Sequence, residues 1–185
     1  MIQSTGIKLD GIYIPPFKLN QGEIVIIQLP NGPNFQPLLF NLVEILTGKK
    51  KVENIEVTEN LRFVNHIAES RWKSFIAPMT VAKYIRKFGN PESSISSKIY
   101  ELGWIQPNTK ISSLPGNSRK TLSLLITFSW TNKIVFDLAG VDPIGGQQVF
   151  NLVKSGIGQF GAAVLIDTSD EFKNDCAKFV KFEIN

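Results

Sequence analysis

Apolar residues early in the chain occur in short groups separated by turn-forming residues. Residues 7–19 alternate short apolar pairs with Gly11, Pro15 and Pro16, a pattern that predicts two short strands and a turn. Gly22 and Glu23 then lead into the continuous apolar run IVIIQL. A run of β-branched residues without alternation indicates a strand buried on both faces, as in a parallel sheet.

Later segments change repeatedly between helical and strand-like spacing. The apolar positions of residues 38–46 have helical spacing, and Gly48 is placed to end that helix. Thr80 is placed to cap a helix that ends near Gly89. Further helices are predicted at 94–102, 119–128, 146–154 and 171–179, and further strands at 61–64, 134–138, 162–166 and 180–184. Strands that alternate with helices predict an α/β domain with a mainly parallel sheet.

The composition is that of an ordinary globular domain. With 185 residues, of which 43% are apolar and 19% charged, the chain is long enough for one domain with a sizeable core. The net charge of +4 is thinly spread apart from Lys49, Lys50 and Lys51, a run that is typical of a solvated loop. Because the aromatic residues are not interleaved with a dense basic stripe, no nucleic-acid partner is expected.

Residue counts exclude several kinds of site. The one cysteine, Cys176, excludes an internal disulfide, and its helical-looking surroundings indicate a half-buried packing role. The one histidine, His66, excludes a histidine cluster; it follows a strand-like run and is expected to be partly buried. No stretch approaches about 20 apolar residues and no secretory leader begins the chain, so a cytoplasmic location is expected.

Separated segments occur in an order that resembles the ATP-binding domain of ABC transporters. The segment GEIVIIQLPNGPN, with the helix after it, resembles the first core strand and phosphate loop of that family. MTVAKYIRKFG and IYELGWIQPNTKISSLPG resemble the helices after the Q-loop and the approach to the signature turn. KIVFDLAGVDP resembles the Walker B strand with its D-loop, and AAVLIDTSDEF resembles the strand before the switch histidine.

The resemblance covers nearly the whole chain and implies a P-loop NTPase-like fold. The expected architecture is a single domain over residues 1–185 with a mainly parallel sheet flanked by helices. A small N-terminal β portion and a short helical subdomain at approximately 78–125 complete it.

An ATP site of this kind makes specific chemical demands on the phosphate loop. Glycine amides surround the phosphates, a lysine contacts the β- and γ-phosphates, and a Ser or Thr hydroxyl binds Mg²⁺. Residues 28–40 of this chain contain no Lys, Ser or Thr and only one glycine. Pro30, Pro33 and Pro37 each lack an N–H donor. The loop therefore lacks the groups that would hold a triphosphate.

The loop can be aligned with the family in two ways, and both give the same result. With Gly32 as the middle glycine, Phe35 and Gln36 occupy the lysine and hydroxyl positions. With Gly32 and Asn34 placed in the opening of the loop, two leucines occupy the lysine and hydroxyl positions. We expect Phe35 to fill the phosphate space with apolar surface, so that the pocket is occupied by the protein itself.

The other catalytic positions implied by the resemblance are also altered. Asp137 stands at the Walker B position, but Leu138 replaces the glutamate that would position the attacking water. The Q-loop position falls near His66 or Ile67, because no glutamine occurs between residues 36 and 106. Ser169 occupies the switch-histidine position. Without a lysine and a hydroxyl, Asp137 is interpreted as a structural strand-end carboxylate rather than a metal ligand.

The signature turn and the D-loop are also changed relative to the family. The Ser-Gly-Gly-Gln turn is replaced by Leu114, Pro115, Gly116, Asn117 and Ser118, in which Gly116 is the one glycine left. The D-loop is two residues short and ends in Asp142 and Pro143. These two residues are suited to start a helix, with Asp at the N-cap and Pro at the first helical position.

These residues indicate a non-catalytic ABC-ATPase-like protein, a structural or regulatory subunit with no cofactor. The expected partner is another ABC-type ATPase or a membrane permease, with a homodimer as a further arrangement and a place at the inner face of the membrane. One alternative is an ATP-binding protein of an ABC transporter that binds ATP and Mg²⁺ and retains residual or unusual ATPase activity, with the lysines at 49–51 reaching a phosphate. Another is a basic nucleic-acid-binding module.

Overall fold

The computed structural model of the protein describes residues 1–67, 78–95, 99–103 and 105–184. The chain forms two compact units. Unit 1 comprises Met1–Phe63, Asn132–Leu138 and Lys154–Asn185, and unit 2 comprises Val64–Thr131 and Ala139–Val153.

All named strands of the described residues lie in unit 1. They are β1 (Ile2–Ser4), β2 (Ile7–Leu9), β3 (Ile12–Ile14), β4 (Phe17–Leu19), β5 (Ile24–Gln28), β6 (Ile55–Val57), β7 (Arg62–Phe63), β8 (Lys133–Phe136), β9 (Ala162–Asp167), β10 (Lys178–Lys181) and β11 (Glu183–Ile184). Five of them form a parallel sheet in the order β10-β5-β9-β8-β7. Two antiparallel sheets have the orders β4-β1-β6 and β11-β3-β2.

The helices of the described residues connect or follow these strands. They are α1 (Phe35–Leu46), α2 (Val81–Phe88), α3 (Gly116–Phe128) and α4 (Pro143–Ile157), with short 3-10 helices at Ile99–Leu102 and Ile111–Ser113. The predicted α/β class with a mainly parallel sheet is confirmed, as is the small β portion at the N-terminal end.

The core of unit 1 lies between the sheets and α1. The residues of β5 from Ile24 to Ile27 are all buried, which confirms that this strand is covered on both faces. One side of α1 contributes leucines, Val43 and Ile45 to the same cluster. Gly48 follows the helix with φ of 73°, and its N–H donates to the carbonyl oxygen of Ile45 at 3.0 Å. Gly48 therefore ends the helix, as predicted.

Unit 2 has its own apolar cluster, built mainly from one face each of α2 and α3. Val81 and Ile85 of α2 are buried with Leu122 and Ile126 of α3. As predicted, Thr80 caps α2: its hydroxyl oxygen accepts a hydrogen bond from the Lys83 amide at 3.3 Å.

Residues 171–179 do not form the predicted helix. They run through turns and bends into β10, and the amide of Asp175 donates to the Phe172 carbonyl three residues earlier. The Ala177 amide donates to Ile24 O at 2.9 Å, so pairing beside the sheet competes with helix formation. Phe172 is buried, and this turn anchors it in the core.

Three other expectations differ in detail. Residues 7–19 contain three strands rather than two, because Gly11 turns the chain with φ of 85° between β2 and β3. Of the helix predicted at 94–102, residues 96–98 lie outside the described residues, and a 3-10 helix covers Ile99–Leu102. His66 is exposed rather than partly buried, because it follows β7 in an open segment without regular structure.

No helix within the described ranges combines the length and the apolar character needed to cross a membrane.

Candidate functional site

The altered phosphate loop lies at the carboxyl edge of the parallel sheet in unit 1. Because β5, β9 and β8 are parallel, the segments that follow them meet at one edge. Gln28 pairs in register with Asp167, and Phe136 with Leu165, so the ends of the three strands are nearly level. This edge brings together the loop before α1, the pair Asp137 and Leu138, and Ser169.

The loop before α1 uses part of its hydrogen-bonding capacity internally. Gly32 has φ of 125°, which favours glycine, and its carbonyl oxygen accepts from the Phe35 amide at 3.1 Å. Asn34 is the N-cap of α1 but makes no side-chain cap bond, and its carbonyl oxygen accepts from the Leu38 amide at 3.2 Å. Pro37 has no amide hydrogen to offer in the same turn. The amides of Phe35 and Leu38 are thus used by carbonyl oxygens of the loop itself.

Phe35 and Gln36, the first residues of α1, have opposite environments. Phe35 is half-buried and packs against the hydrophobic cluster of unit 1. Gln36 is exposed. An aromatic ring held by the core therefore stands at the start of the helix, where one alignment of the family places a phosphate-binding lysine.

The ends of β5 and β9 are joined by a polar network centred on Asp167. Its carboxylate accepts from the Thr168 amide at 2.7 Å and from the Ser169 hydroxyl at 2.9 Å. The Leu29 amide donates to Asp167 O at 2.8 Å, and the Gln28 side-chain amide donates to Thr168 O at 3.0 Å. Ser169, at the switch position, is thus engaged by a carboxylate of its own turn.

Sequence reasoning missed Asp167 and Gln28 as parts of this edge. Both are polar residues that end a buried strand. This position in the sequence could have indicated that they lie at the carboxyl edge of the sheet. Asp137, which follows β8, is fully buried, and Leu138 after it is half-buried. Two carboxylates therefore lie at the end of neighbouring strands, at an edge whose phosphate loop provides no lysine.

The lysines at 49–51 lie at the other end of α1 from this loop. The helix has 12 residues, which corresponds to about 18 Å of rise. The ammonium group of Lys50 donates to the side-chain oxygen of Asn41 at 2.7 Å, near the C-terminal half of the helix. The contact of Lys50 therefore lies about six residues along the helix from Phe35, whereas the ATP-binding alternative requires these lysines at the loop.

Residues 114–118, which align with the signature turn of the family, lie in unit 2, where this turn begins α3. Pro115 is the N-cap and Gly116 the first helical residue, while Leu114 is buried. Arg119 holds the turn from within the helix, because its guanidinium donates to Leu114 O at 2.9 Å and to Ser112 O at 2.7 Å. The turn is therefore fixed by side-chain bonds to its own backbone.

The signature turn and the D-loop contact each other closely within unit 2. The Asn117 side-chain amide donates to Asp142 Oδ2 at 2.9 Å, and the Asp142 amide donates to Asn117 Oδ1 at 3.2 Å. A Cβ atom on Gly116 would overlap the carbonyl oxygen of Gly140, and one on Gly145 would overlap the Asn117 side chain. Gly116 is thus required by a backbone contact, whereas a side chain at Gly145 would displace that of Asn117.

Asp142 also caps α4, as the sequence predicted. Its Oδ1 accepts from the Gly145 amide at 2.8 Å, and Pro143 is the first residue of the helix. The hydrogen bond from the Gly145 amide, followed by that from the Asn117 side chain, holds the pKa of Asp142 below its ordinary value.

The Q-loop position falls beside a cavity in unit 2. His66 and Ile67 line a cavity of about 230 Å³ together with Gly116, Arg119 and Gly140. The residues that align near the Q-loop of the family therefore share this cavity with Gly116 and Gly140.

Solved structures of ABC transporter ATP-binding cassettes share this fold. The ATP-binding protein of a provisionally assigned ABC transporter from Pyrococcus furiosus superposes with a TM-score of 0.70 at 14% identity, over 97% of this chain and 96% of that chain. A nucleotide-free ATP-binding cassette from an ABC transporter gives a TM-score of 0.63 at 15% identity, over 95% and 84%. A provisionally assigned metal-chelate type ABC transporter in an inward-facing conformation gives 0.65 at 18% identity, over 91% and 74%.

No protein-family model matches the sequence, and a search of curated proteins finds no match. The structural likeness confirms the fold expected from the sequence resemblance, that of the P-loop NTPase domain of ABC transporters.

Proposed function

We propose that this protein is a non-catalytic counterpart of the ABC ATP-binding cassette and acts as a structural or regulatory subunit of an ABC-type transport complex. The fold supports an ABC-type role. Loss of the phosphate-binding groups supports a role without hydrolysis. A permease as the partner would place the protein at the inner face of the membrane.

The observation that carries the proposal is the loop before α1. Residues 28–40 have no Lys, Ser or Thr, and Phe35 is held against the core at the start of the helix. Asp167 adds a carboxylate at the same edge of the sheet. A triphosphate bound there would meet negative charge without a lysine to offset it, which disfavours ATP binding as well as hydrolysis.

Ile144 supports a retained docking surface. In ABC ATPases two domains pair head to tail, with the signature turn of each facing the phosphate loop of the other. Ile144, in the first turn of α4 after the D-loop, is 74% exposed although it is a large apolar residue. Single exposed apolar residues are common on protein surfaces, so it is the position of Ile144, two residues after Asp142, that makes it the residue with which to test a partner contact.

Copurification from the native host tests this proposal. The tagged protein should recover an ABC-type ATPase or a permease, identified by mass spectrometry. Ile144→Asp should reduce that recovery at least about tenfold, as expected for a buried apolar contact replaced by a charge. Phe160→Asp is the matched control, because Phe160 is equally exposed at 73% but belongs to unit 1, in the turn that precedes β9.

A second experiment separates this proposal from the ATP-binding alternative. A ligand at one hundred times its Kd stabilises a protein by about 2.7 kcal/mol. We expect millimolar Mg-ATP to leave the thermal unfolding midpoint unchanged. A clear upward shift would reject the non-binding part of the proposal, and recovery of only free monomer from the host would reject the subunit role.

A further inference from the structure

One helix of unit 2 exposes cations and aromatic rings on the same surface. The helix α2 contains Lys83, Arg86 and Lys87, all exposed, and no acidic residue. Its buried side consists of Val81 and Ile85, which pack in the apolar cluster of unit 2. The helix is therefore anchored on one side and strongly basic on the other.

Phe88 and Trp130 extend this surface with exposed aromatic area. Phe88, the last residue of α2, is 41% exposed, and Trp130, which lies just beyond α3, is 48% exposed. The indole N–H of Trp130 donates to the carbonyl oxygen of Phe88 at 2.7 Å, so the two residues are adjacent. Since this bond satisfies the polar atom of the indole, the exposed part of Trp130 is apolar.

The cations lie directly beside these rings. The ammonium nitrogen of Lys87 is 5.2 Å from the centroid of the Phe88 ring, within cation–π range. Tyr84 packs against the same ring, with centroids 4.7 Å apart. The Asn90 amide donates to the Ser129 hydroxyl at 3.0 Å, which joins the chain after α2 to the end of α3. We call Lys83, Arg86, Lys87, Phe88 and Trp130 the basic aromatic surface.

We propose that the basic aromatic surface docks on an anionic lipid membrane, with Phe88 and Trp130 in the interface and the three cations against lipid phosphates. Exposed Trp beside Lys and Arg is the combination that membrane interfaces favour, and anionic headgroups complement the charge. Within the described segment 78–95, Glu92 is the one acidic residue against Lys83, Arg86 and Lys87, so the segment has a net positive charge.

The same chemistry is less suited to a nucleic acid. Base stacking requires open ring faces along a basic groove. One face of the Phe88 region is covered by Tyr84 at an interplanar angle of 46°, and Lys87 lies over the ring. The eight residues of α2 also span only about 12 Å, which is short for a groove that follows a backbone. The proposal does not depend on the subunit role proposed above.

Vesicle sedimentation with the full chain tests the proposal. We expect binding to vesicles of phosphatidylcholine with phosphatidylglycerol, none to phosphatidylcholine alone, and loss of binding at about 0.5 M salt. The double variant Lys83→Gln/Lys87→Gln should weaken binding by about 25-fold, or about fivefold per charge. The matched control is Lys49→Gln/Lys51→Gln, which removes the same charge from an exposed loop of unit 1 and should change binding less than about twofold.

Tryptophan fluorescence tests the aromatic part. Anionic vesicles should shift the emission of the wild-type protein to the blue, and the shift should be lost in Trp130→Phe. Equal weakening by both lysine pairs would overturn the proposal, because net charge would then account for binding. Binding to neutral vesicles, or tighter binding to single-stranded polynucleotide than to anionic vesicles, would overturn it as well.

Discussion

Asn117 and Asp142 hold each other by two hydrogen bonds, although 25 residues separate them in the chain. The Asn117 side chain acts as donor to the Asp142 carboxylate and as acceptor from the Asp142 amide. The pair joins the start of α3 to the start of α4 within unit 2. The signature turn and the D-loop of this chain therefore form one connected structure.

Replacing Asn117 with Ala should destabilise the protein, because both bonds are lost and the Asp142 amide loses its acceptor. We expect a decrease of about 1–2 kcal/mol in the free energy of unfolding, measured by urea denaturation. Asn151→Ala is the control, since Asn151 makes a side-chain bond to Gln147 on an exposed part of α4 and should cost less than about 0.5 kcal/mol. Equal losses in the two variants would contradict the role given to the pair.

Asp142 should contribute to the acid sensitivity of the protein. Its pKa in the folded state is lowered by the bonds from the Gly145 amide and Asn117, so its stabilising effect is complete above about pH 4 and is lost as pH falls through the folded pKa. Asp142→Asn keeps a capping side chain but cannot titrate. Stability measured at pH 6 and at pH 3 should therefore fall less in the variant than in the wild type.

The Asp142→Asn variant should still lose some stability at acid pH, because other carboxylates also have lowered pKa values in the folded state. The pKa of Glu59 is lowered mainly by its bond to Lys133, and that of Asp170 mainly by its bond to Lys173. An Asp142→Asn variant with the same acid sensitivity as the wild type would show that Asp142 is not linked to folding.

Gly116 is required by the close approach of another backbone. A methyl group at this position would overlap the Gly140 carbonyl oxygen, and a backbone carbonyl cannot move aside as a side chain does. Gly116→Ala should therefore cost about 1–3 kcal/mol in thermal or urea unfolding. Ser118→Ala in the same helical turn is the control, with an expected change within about 0.5 kcal/mol.

Phe35 and Gln36 offer a direct comparison of a core-packed and an exposed residue at the start of α1. Phe35→Ala removes a half-buried ring from the unit 1 cluster and should cost about 1–2 kcal/mol, less than the ~3–5 kcal/mol for a fully buried ring. Gln36→Ala should change stability by less than about 0.5 kcal/mol. If Phe35→Ala were neutral, the ring would not be a fixed part of the core.

Cys176 should react slowly with thiol reagents in the folded protein. Burial raises the pKa of its thiol, so less thiolate is present at pH 8 than for an ordinary cysteine. Its Sγ also lies 3.4 Å from the Lys173 carbonyl oxygen in the turn before β10. Reaction with a disulfide reagent, followed by absorbance, should be several times faster in urea than in buffer.

Much of the fold could be predicted from the sequence because its signals are local. The strand β5 is indicated by its own continuous apolar run. The start of α2 is indicated by Thr80, which caps the helix through an amide three residues later. Asp142 and Pro143 predicted the start of α4 in the same way. The missing Lys, Ser and Thr at 28–40 need no structure to be seen, so the sequence by itself determined that the loop lacks the usual phosphate ligands.

Tertiary structure decided the features that join distant segments. Residues 171–179 have a helical pattern, but the Ala177 amide pairs with Ile24, and this contact with a strand 153 positions away outweighs a weak local preference. The contacts of Asp167 with the end of β5 and of Asn117 with Asp142 likewise arise only when the strands and helices pack. Local spacing specifies helices and strands, whereas the partners of a polar side chain depend on which segments the core brings together.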